Sequence, residues 1–330
     1  MTSKELARLL GVSPATVSMA LNGKPGINPE TRQMILDAAR ENRVSTRSLS
    51  ASSLRSICLV LFHRKATLLS SASFYNEVIS GVRQTCEASG YGFSSQSVIG
   101  IQDLNNYLQA LPRSETAGAI LMGHDMTRED LSLLSKFSFP IVLLDNSAFS
   151  YPIDCVKIDN TSSAFTAVNF LIERVKSQPG YLRSSFSINN FDERSRGFEQ
   201  AIVYNRMSRS SSPVHDLLPS IEGAYDDMTA LLKAGLKPAA CYFADNDLIA
   251  IGAVQALQRF GLRIPEDVAV IGFDDIEMSA HTSPPLTTMH VPKYHFGAAA
   301  VKRLLRLIRD PSLFPITIEM TANLVVREST

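Results

Sequence analysis

Between residues 57 and 330 short apolar runs alternate with longer amphipathic stretches, and this alternation limits the possible folds more than any other feature. The runs fall at 57–62, 117–122, 141–144, 186–188, 240–244 and 268–273. They are strand-length and apolar throughout, as strands covered on both faces are. The stretches at 76–89, 163–174, 196–204, 247–260 and 294–308 carry apolar residues at helical spacing. Strands and helices in turn predict an α/β fold of doubly wound parallel sheets. The length suits two such lobes better than one.

Ligands of open parallel sheets bind outside the carboxyl ends of the strands. Polar residues stand at those places. Asp145 follows 141–144, and Arg194 follows 186–188 and opens the next helix. Asp245, Asn246 and Asp247 follow 240–244, while Asp274 and Asp275 follow 268–273. Phe74 and Tyr75 lie in the region after the first strand. All are expected at the mouth of a cleft. Asp247 and Asp275 read equally well as helix caps. Asp245 and Asp247 are not read as a metal pair, because no further ligands converge on them.

The first 46 residues read as a separate all-α head. Thr2 and Glu5 have capping-box spacing ahead of a helix with Leu6, Leu9 and Leu10 on one face. Gly11 suits a sharp turn, Ser13 caps a second helix with Pro14 at its first position, and Asn22-Gly23 ends it. Asn28 and Pro29 repeat that start for a third helix. Two short helices about a glycine turn, packed on a third, form a helix-turn-helix. Val17 and Leu21 read as its small core. The stretch 45–56 holds six serines and two arginines and is too polar to fold alone.

Charge supports a polyanion partner at this end. The whole chain of 330 residues balances 32 basic against 32 acidic groups. Residues 1–56 hold eight basic and four acidic groups, a head of +4 on a body of −4. The four cysteines form no C-x-x-C pair, and Cys58, Cys155 and Cys241 sit in apolar runs, as buried thiols of a reducing compartment do. The six histidines are scattered, so no zinc site, metal or other cofactor is expected. No export signal and no apolar run of about 18 residues is present, so a soluble cytoplasmic protein is expected. Neither G-x-S-x-G nor a P-loop occurs, and no enzymatic activity is expected.

Several strings resemble one family. Gly11-Val-Ser-Pro-Ala-Thr-Val-Ser18, Leu21-Asn22 and Asn28-Pro-Glu-Thr-Arg32 resemble the head of the lactose-repressor/galactose-repressor (LacI/GalR) transcription regulators. Phe243-Ala-Asp-Asn-Asp-Leu-Ile-Ala-Ile-Gly-Ala253 and Gly261-Leu-Arg-Ile-Pro-Glu-Asp-Val-Ala-Val-Ile-Gly-Phe-Asp-Asp275 resemble its core, followed in order by Pro285-Leu-Thr-Thr288 and Gly297-x-x-Ala300. Arg194-Ser-Arg-Gly-Phe198 resembles its effector-binding arginine segment. The resemblance covers nearly the whole chain.

It implies a periplasmic-binding-protein-like core of two lobes behind a DNA-binding head. The implied divisions are a head at 1–46, a hinge at 47–56 and a core at 57–330. Within the core, lobe one spans about 57–156 and 287–314, and lobe two about 157–286 and 315–330. Pro14, Ala15 and Met19 match base-reading positions, and the arginine common at the last of these is missing. Ser13, Thr16 and Ser18 match phosphate ligands. Thr2, Asn22 and Arg47 fall on the same DNA side. Leu49 matches a hinge leucine that wedges into the minor groove, and gapless alignment from the head puts that role nearer Leu54.

In the core, Arg194, Asn246 and Asp274 match effector ligands, Tyr225 an aromatic stacking position, and Phe74 and Tyr75 first-lobe contacts. The implied partners are a near-palindromic double-stranded operator, a small-molecule effector of the sugar class and a second copy of the chain. A nucleobase or nucleoside is the alternative effector. A solute-binding transport protein is the alternative for the core alone.

Overall fold

The computed structural model describes residues 3–21, 26–41, 55–64, 72–113 and 115–330. The head comprises α1 (Ser3–Leu9), α2 (Pro14–Leu21) and α3 (Pro29–Glu41). Gly11 turns the chain between the first two with φ of +66°, a left-handed conformation that costs glycine no steric strain. Ser13 Oγ accepts from the Thr16 amide at 3.0 Å and caps α2, and Asn28 Oδ1 accepts from the Glu30 amide at 2.9 Å at the start of α3. Leu6, Ala7, Val17, Ala20, Ile35 and Ala39 form a core of their own. The side chains of Thr2, Leu21, Asn22, Arg47, Leu49 and Leu54 lie outside the described residues.

The body begins with β1 (Ser56–His63), α4 (Ala72–Ala88), β2 (Gly92–Ile99), α5 (Ile101–Ala110), β3 (Thr116–Met122), α6 (Arg128–Leu131), β4 (Ile141–Leu144) and β5 (Asp154–Ile158). There follow α7 (Asn160–Val175), β6 (Gly180–Ser184), α8 (Asn189–Tyr204), β7 (Val214–Leu217), α9 (Ile221–Lys233), β8 (Cys241–Ala244), α10 (Asp247–Arg259) and β9 (Ala269–Ile271). The chain ends through β10 (Thr288–His290), α11 (Lys293–Arg309), β11 (Thr317–Met320) and β12 (Asn323–Val325). One parallel sheet has the order β11-β5-β4-β3-β1-β2, and a second has β7-β6-β8-β9. These are the two doubly wound lobes that the alternation predicts. Their helices pack closely: a Cβ on Gly197 would stand 2.3 Å from the Thr161 carbonyl oxygen of α7.

Among the described residues, three chain segments cross between the lobes. The first joins β5 to α7. The second runs from β9 to α11 and carries β10, which pairs antiparallel with β12. The third joins β11 to β12. The crossing near residue 315 is therefore corrected. Residues Thr317–Met320 pair with β5 in the first sheet, so the chain leaves lobe one only after Met320. The first crossing likewise falls after Ile158 instead of at 156.

The strand expected at 186–188 is also corrected. The strand is Gly180–Ser184, and residues 186–188 are the loop beyond its carboxyl end. Arg183 hides it, since this exposed side chain pairs with Asp216 of β7 and breaks any continuous apolar run. The edge strands β2 and β11 are largely polar because they meet water: residues 94–97 of β2 are exposed in succession, and alternate residues of β11 are exposed. All four cysteines are buried and free. No helix among the described residues is long and apolar enough to cross a membrane.

Candidate functional site

Residues that follow the strands of both sheets line one cavity of about 340 Å³. Lobe one contributes Phe74 and Tyr75 from the first turn of α4, His124 and Asp125 beyond β3, Asp145 beyond β4 and Ile158 at the end of β5. Lobe two contributes Phe186, Ile188, Asn190, Phe191 and Arg194 around the start of α8, Leu218 to Ser220 ahead of α9, Asn246 ahead of α10 and Asp274 beyond β9. The structure thus brings together Phe74, Tyr75, Asp145, Arg194, Asn246 and Asp274.

Tyr225 is not among them. It sits on the second turn of α9, packed against the core of the second lobe. The residues just before that helix reach the cavity in its place. Arg194 lies within α8, one turn past its start, instead of opening the helix.

Arg194 is the most constrained group in the cavity wall. Its Nε donates to Asn160 Oδ1 at 2.9 Å, one Nη to the Asp245 carbonyl and the other to Asp274 Oδ1 at 3.1 Å. Its guanidinium lies 3.7 Å from the ring centre of Phe273, a cation–π contact that adds to the hold. A ligand therefore meets a fixed guanidinium edge with no long side chain left to order.

Asp274 is half-buried beside it, in the left-handed region at φ 110°. Burial raises its carboxyl above the ordinary value, while Arg194 and Lys293 oppose the rise. Asn246 Oδ1 caps α10 by accepting from the Ile249 amide at 2.9 Å, which leaves its amide group for the cavity. Asp145 accepts from Asn190 Nδ2 at 2.9 Å, yet burial still pushes its carboxyl up to about 7. On the opposite wall the Tyr75 hydroxyl stands 3.1 Å from His124 Nδ1. Burial holds His124 below the usual histidine value; Asp125 pulls it up and His63 lowers it further.

A polar network closes the floor between the lobes. Lys157 of β5 pairs with Glu193 of α8, and Ser147 Oγ donates to the same carboxylate at 2.9 Å. Asn189 Nδ2 reaches Ser147 Oγ at 3.1 Å. Burial works against the charge of Glu193, but Lys157, Asn160 and Ser147 together hold it below its ordinary value.

The other aspartates have structural work. Asp245 accepts from the Tyr181 hydroxyl and from the Ser184 amide. Asp247 begins α10, and its carboxylate accepts from the Ile276 amide at 3.0 Å, Ser279 Oγ at 2.7 Å and Thr288 Oγ1 at 2.5 Å. Asp275 caps no helix. It accepts from Arg327 at 2.6 Å and lies 2.8 Å from His290 Nδ1. Asp247 thus fastens the second crossing to α10, and Asp275 joins that crossing to the segment after β12. Among the described residues, one group of His, Cys, Asp and Glu has metal-like spacing: His63, His124 and Asp125.

Sequence reasoning missed His124, Asp125, Asn190, Phe186, Phe191 and the 218–220 segment. His124 and Asp125 carried a usable signal, because only Gly123 separates them from the apolar run 117–122.

In the head, Ser13, Pro14 and Ala15 are exposed at the start of α2, while Thr16, Ser18 and Met19 are half-buried. Ser13 also meets Thr16 Oγ1 at 2.8 Å. The amino end of α2 is therefore open to a partner, with small side chains and hydroxyls presented together.

Comparison with known proteins finds matches to the head and to the body. The description "Bacterial regulatory proteins, lacI family" matches residues 2–43, and "Periplasmic binding protein-like domain" matches residues 168–330. The HTH-type transcriptional repressor PurR of Pasteurella multocida (strain Pm70) is 30% identical over 334 residues, which cover 99% of this chain and 98% of that protein. The lac repressor bound to ONPG in its repressed state superposes with a TM-score of 0.81 at 22% identity, covering 100% of this chain and 99% of the other. The complex of the transcriptional regulator CelR with cellobiose gives 0.72 at 23% identity, with each chain covered in full. With head and two-lobed body matched from end to end, the chain belongs to the LacI family of bacterial transcription regulators.

Proposed function

We propose that the chain represses transcription from a near-palindromic operator as a cytoplasmic homodimer, and that a carbohydrate held between its lobes sets how tightly it binds. The observation that carries this reading is the fixed edge formed by Arg194 and Asp274 in a cavity walled by both lobes. A carboxylate accepts from adjacent hydroxyls, and a guanidinium and an amide donate to ring or hydroxyl oxygens. Asp274, Arg194, Asn246 and Asp145 supply that set, and Phe74, Phe186 and Phe191 supply faces for the apolar side of a pyranose. The CelR structure with cellobiose and the lac repressor with ONPG support the same ligand class.

The ligand competes with and adds to contacts that already join the lobes. Asp145 to Asn190 and Lys157 to Glu193 hold the present approach of the two walls. Occupancy of the cavity shifts that balance, and the three crossings pass it to the start of β1, where the segment from the head enters. A coupling of about 1–3 kcal/mol changes operator affinity roughly 5–150-fold.

In the head, Pro14, Ala15 and Met19 face base edges, and Ser13, Thr16 and Ser18 the phosphates. Thr2, Asn22 and Arg47 add DNA contacts, and Leu49 wedges the minor groove, with Leu54 the alternative.

A nucleobase is the second reading. The three phenylalanines suit a planar ring, and Asp145, with its carboxyl near neutrality, can donate as well as accept. The test is to select bound fragments from genomic DNA, then titrate the best fragment in the presence of cellobiose, monosaccharides or purine bases. A sugar that shifts affinity supports the first reading, and a base alone that does so replaces it. If no fragment is preferred over random DNA, both readings fail.

A further inference from the structure

The wall of the cavity in lobe one holds a donor set that the sugar reading does not use. Strands β1 and β3 run parallel with Leu61 opposite Met122, and this register sets His63, the last residue of β1, beside His124, just past the end of β3. The two imidazoles have ring centres 6.1 Å apart at an interplanar angle of 70°. Asp125 follows directly. One ligand atom from each of the three lies within 4.8 Å of the others. All three residues are buried, at 5%, 7% and 7% exposure.

Two of their atoms lack partners among the described residues. Asp125 Oδ2 accepts from the Arg64 amide at 2.7 Å, but buried Oδ1 accepts from nothing. His63 Nδ1 is buried and equally without a partner. Buried polar atoms are normally satisfied, and an orphan acceptor beside an orphan imidazole nitrogen points to a missing electrophile. Arg64 does not fill that role: its guanidinium pairs with Asp130 at 3.2 Å.

We propose that His63, His124 and Asp125 bind a divalent transition-metal ion whose remaining coordination position opens into the cavity. Two imidazole nitrogens with one carboxylate oxygen suit zinc and its first-row neighbours; calcium and magnesium favour all-oxygen sets. Bonds of about 2.0–2.2 Å bring donors to roughly 3.3 Å from one another, so the side chains must close in by about an ångström or less each. His124 and Asp125 both line the cavity, so the fourth position faces it. A hydroxyl oxygen of a cavity ligand, or the Tyr75 hydroxyl beside His124, completes the coordination. The ligand's share in this rests on the effector reading above, whereas the metal site does not.

The test titrates cobalt(II) chloride into the full chain after chelation, with no organic ligand present, and displaces it with zinc. The expected result is one cobalt per chain with visible ligand-field bands, lost on zinc addition. His63→Ala and Asp125→Ala should each weaken binding at least about 100-fold. His281→Ala, an exposed histidine elsewhere, should leave it unchanged. If a variant fails to fold, proton NMR of the cobalt-loaded wild type decides the question: two paramagnetically shifted imidazole N–H signals support the site, and fewer overturn it. Cobalt binding that never saturates, or that survives both substitutions, overturns it as well. Either failure leaves the operator and sugar titrations untouched.

Discussion

Asp274→Asn separates a ligand-binding role from a structural one. In the wild type Oδ1 accepts from Arg194 at 3.1 Å, and no described residue takes Oδ2, which is left to the cavity. In the variant Arg194 still presents a donor at that spot, so the asparagine must turn its oxygen toward the guanidinium. Its NH₂ group then points into the cavity, where an acceptor stood. A ligand hydroxyl loses a hydrogen bond to a charged acceptor, about 1.5–3 kcal/mol. That corresponds to roughly 10–150-fold in affinity.

The fold should lose little. Arg194 keeps Asn160, the Asp245 carbonyl and its stacking on Phe273. The folded carboxyl is raised, so its ionised form costs stability as pH rises past its ordinary value, and the amide removes that cost. The assay is a calorimetric titration of the tightest ligand from the sugar and base panel, beside a melt and an operator titration without ligand. The expected outcome is weaker ligand binding, a melting temperature within about 3 °C of wild type and unchanged ligand-free operator affinity. Ligand affinity within about threefold of wild type would refute the reasoning. So would a loss of several degrees in Tm, because Asp274 would then be holding the lobe instead of the ligand.

Other outcomes follow from the same geometry. Burial raises Asp145 from 3.8 to about 7, so this group costs stability progressively as pH climbs through that window. Asp145→Asn should therefore gain in Tm over wild type between about pH 5 and about pH 8, and a flat or falling difference contradicts the raised value. Tyr225→Ala should leave ligand affinity within about twofold, since the ring lies outside the cavity; a tenfold loss would restore it to the site. Gly197→Ala should lower stability by at least about 2 kcal/mol in denaturant melts, because the added carbon meets the Thr161 carbonyl at 2.3 Å. A near-neutral result would mean that α7 and α8 can separate freely.

Much of this architecture is legible in the chain. The runs at 57–62, 117–122, 141–144, 240–244 and 268–273 each contain or overlap a strand, because covered parallel strands demand continuous apolar residues. Edge and amphipathic strands escape that rule. Arg183 hides β6, and the exposed polar run 94–97 hides β2. Residues placed by strand ends could be read in advance: Asp145, Asn246 and Asp274 all line the cavity.

What could not be read is proximity between distant segments. His63 and His124 lie far apart in the chain, and only the register of β1 against β3 makes them neighbours. Asp275 looked like a cap or a ligand, and its partners Arg327 and His290 come from the segment after β12 and from β10. Tyr225 was placed by resemblance, and the turn of α9 puts Leu218 to Ser220 at the cavity instead.

The most direct measurement is fluorescence anisotropy of the purified full-length protein on its best genomic fragment, with and without a saturating cavity ligand at fixed salt. The expected result is a change in dissociation constant of at least about fivefold that disappears in Asp274→Asn. Identical DNA affinity at full ligand occupancy, confirmed by calorimetry in the same buffer, would contradict the coupling of cavity to head.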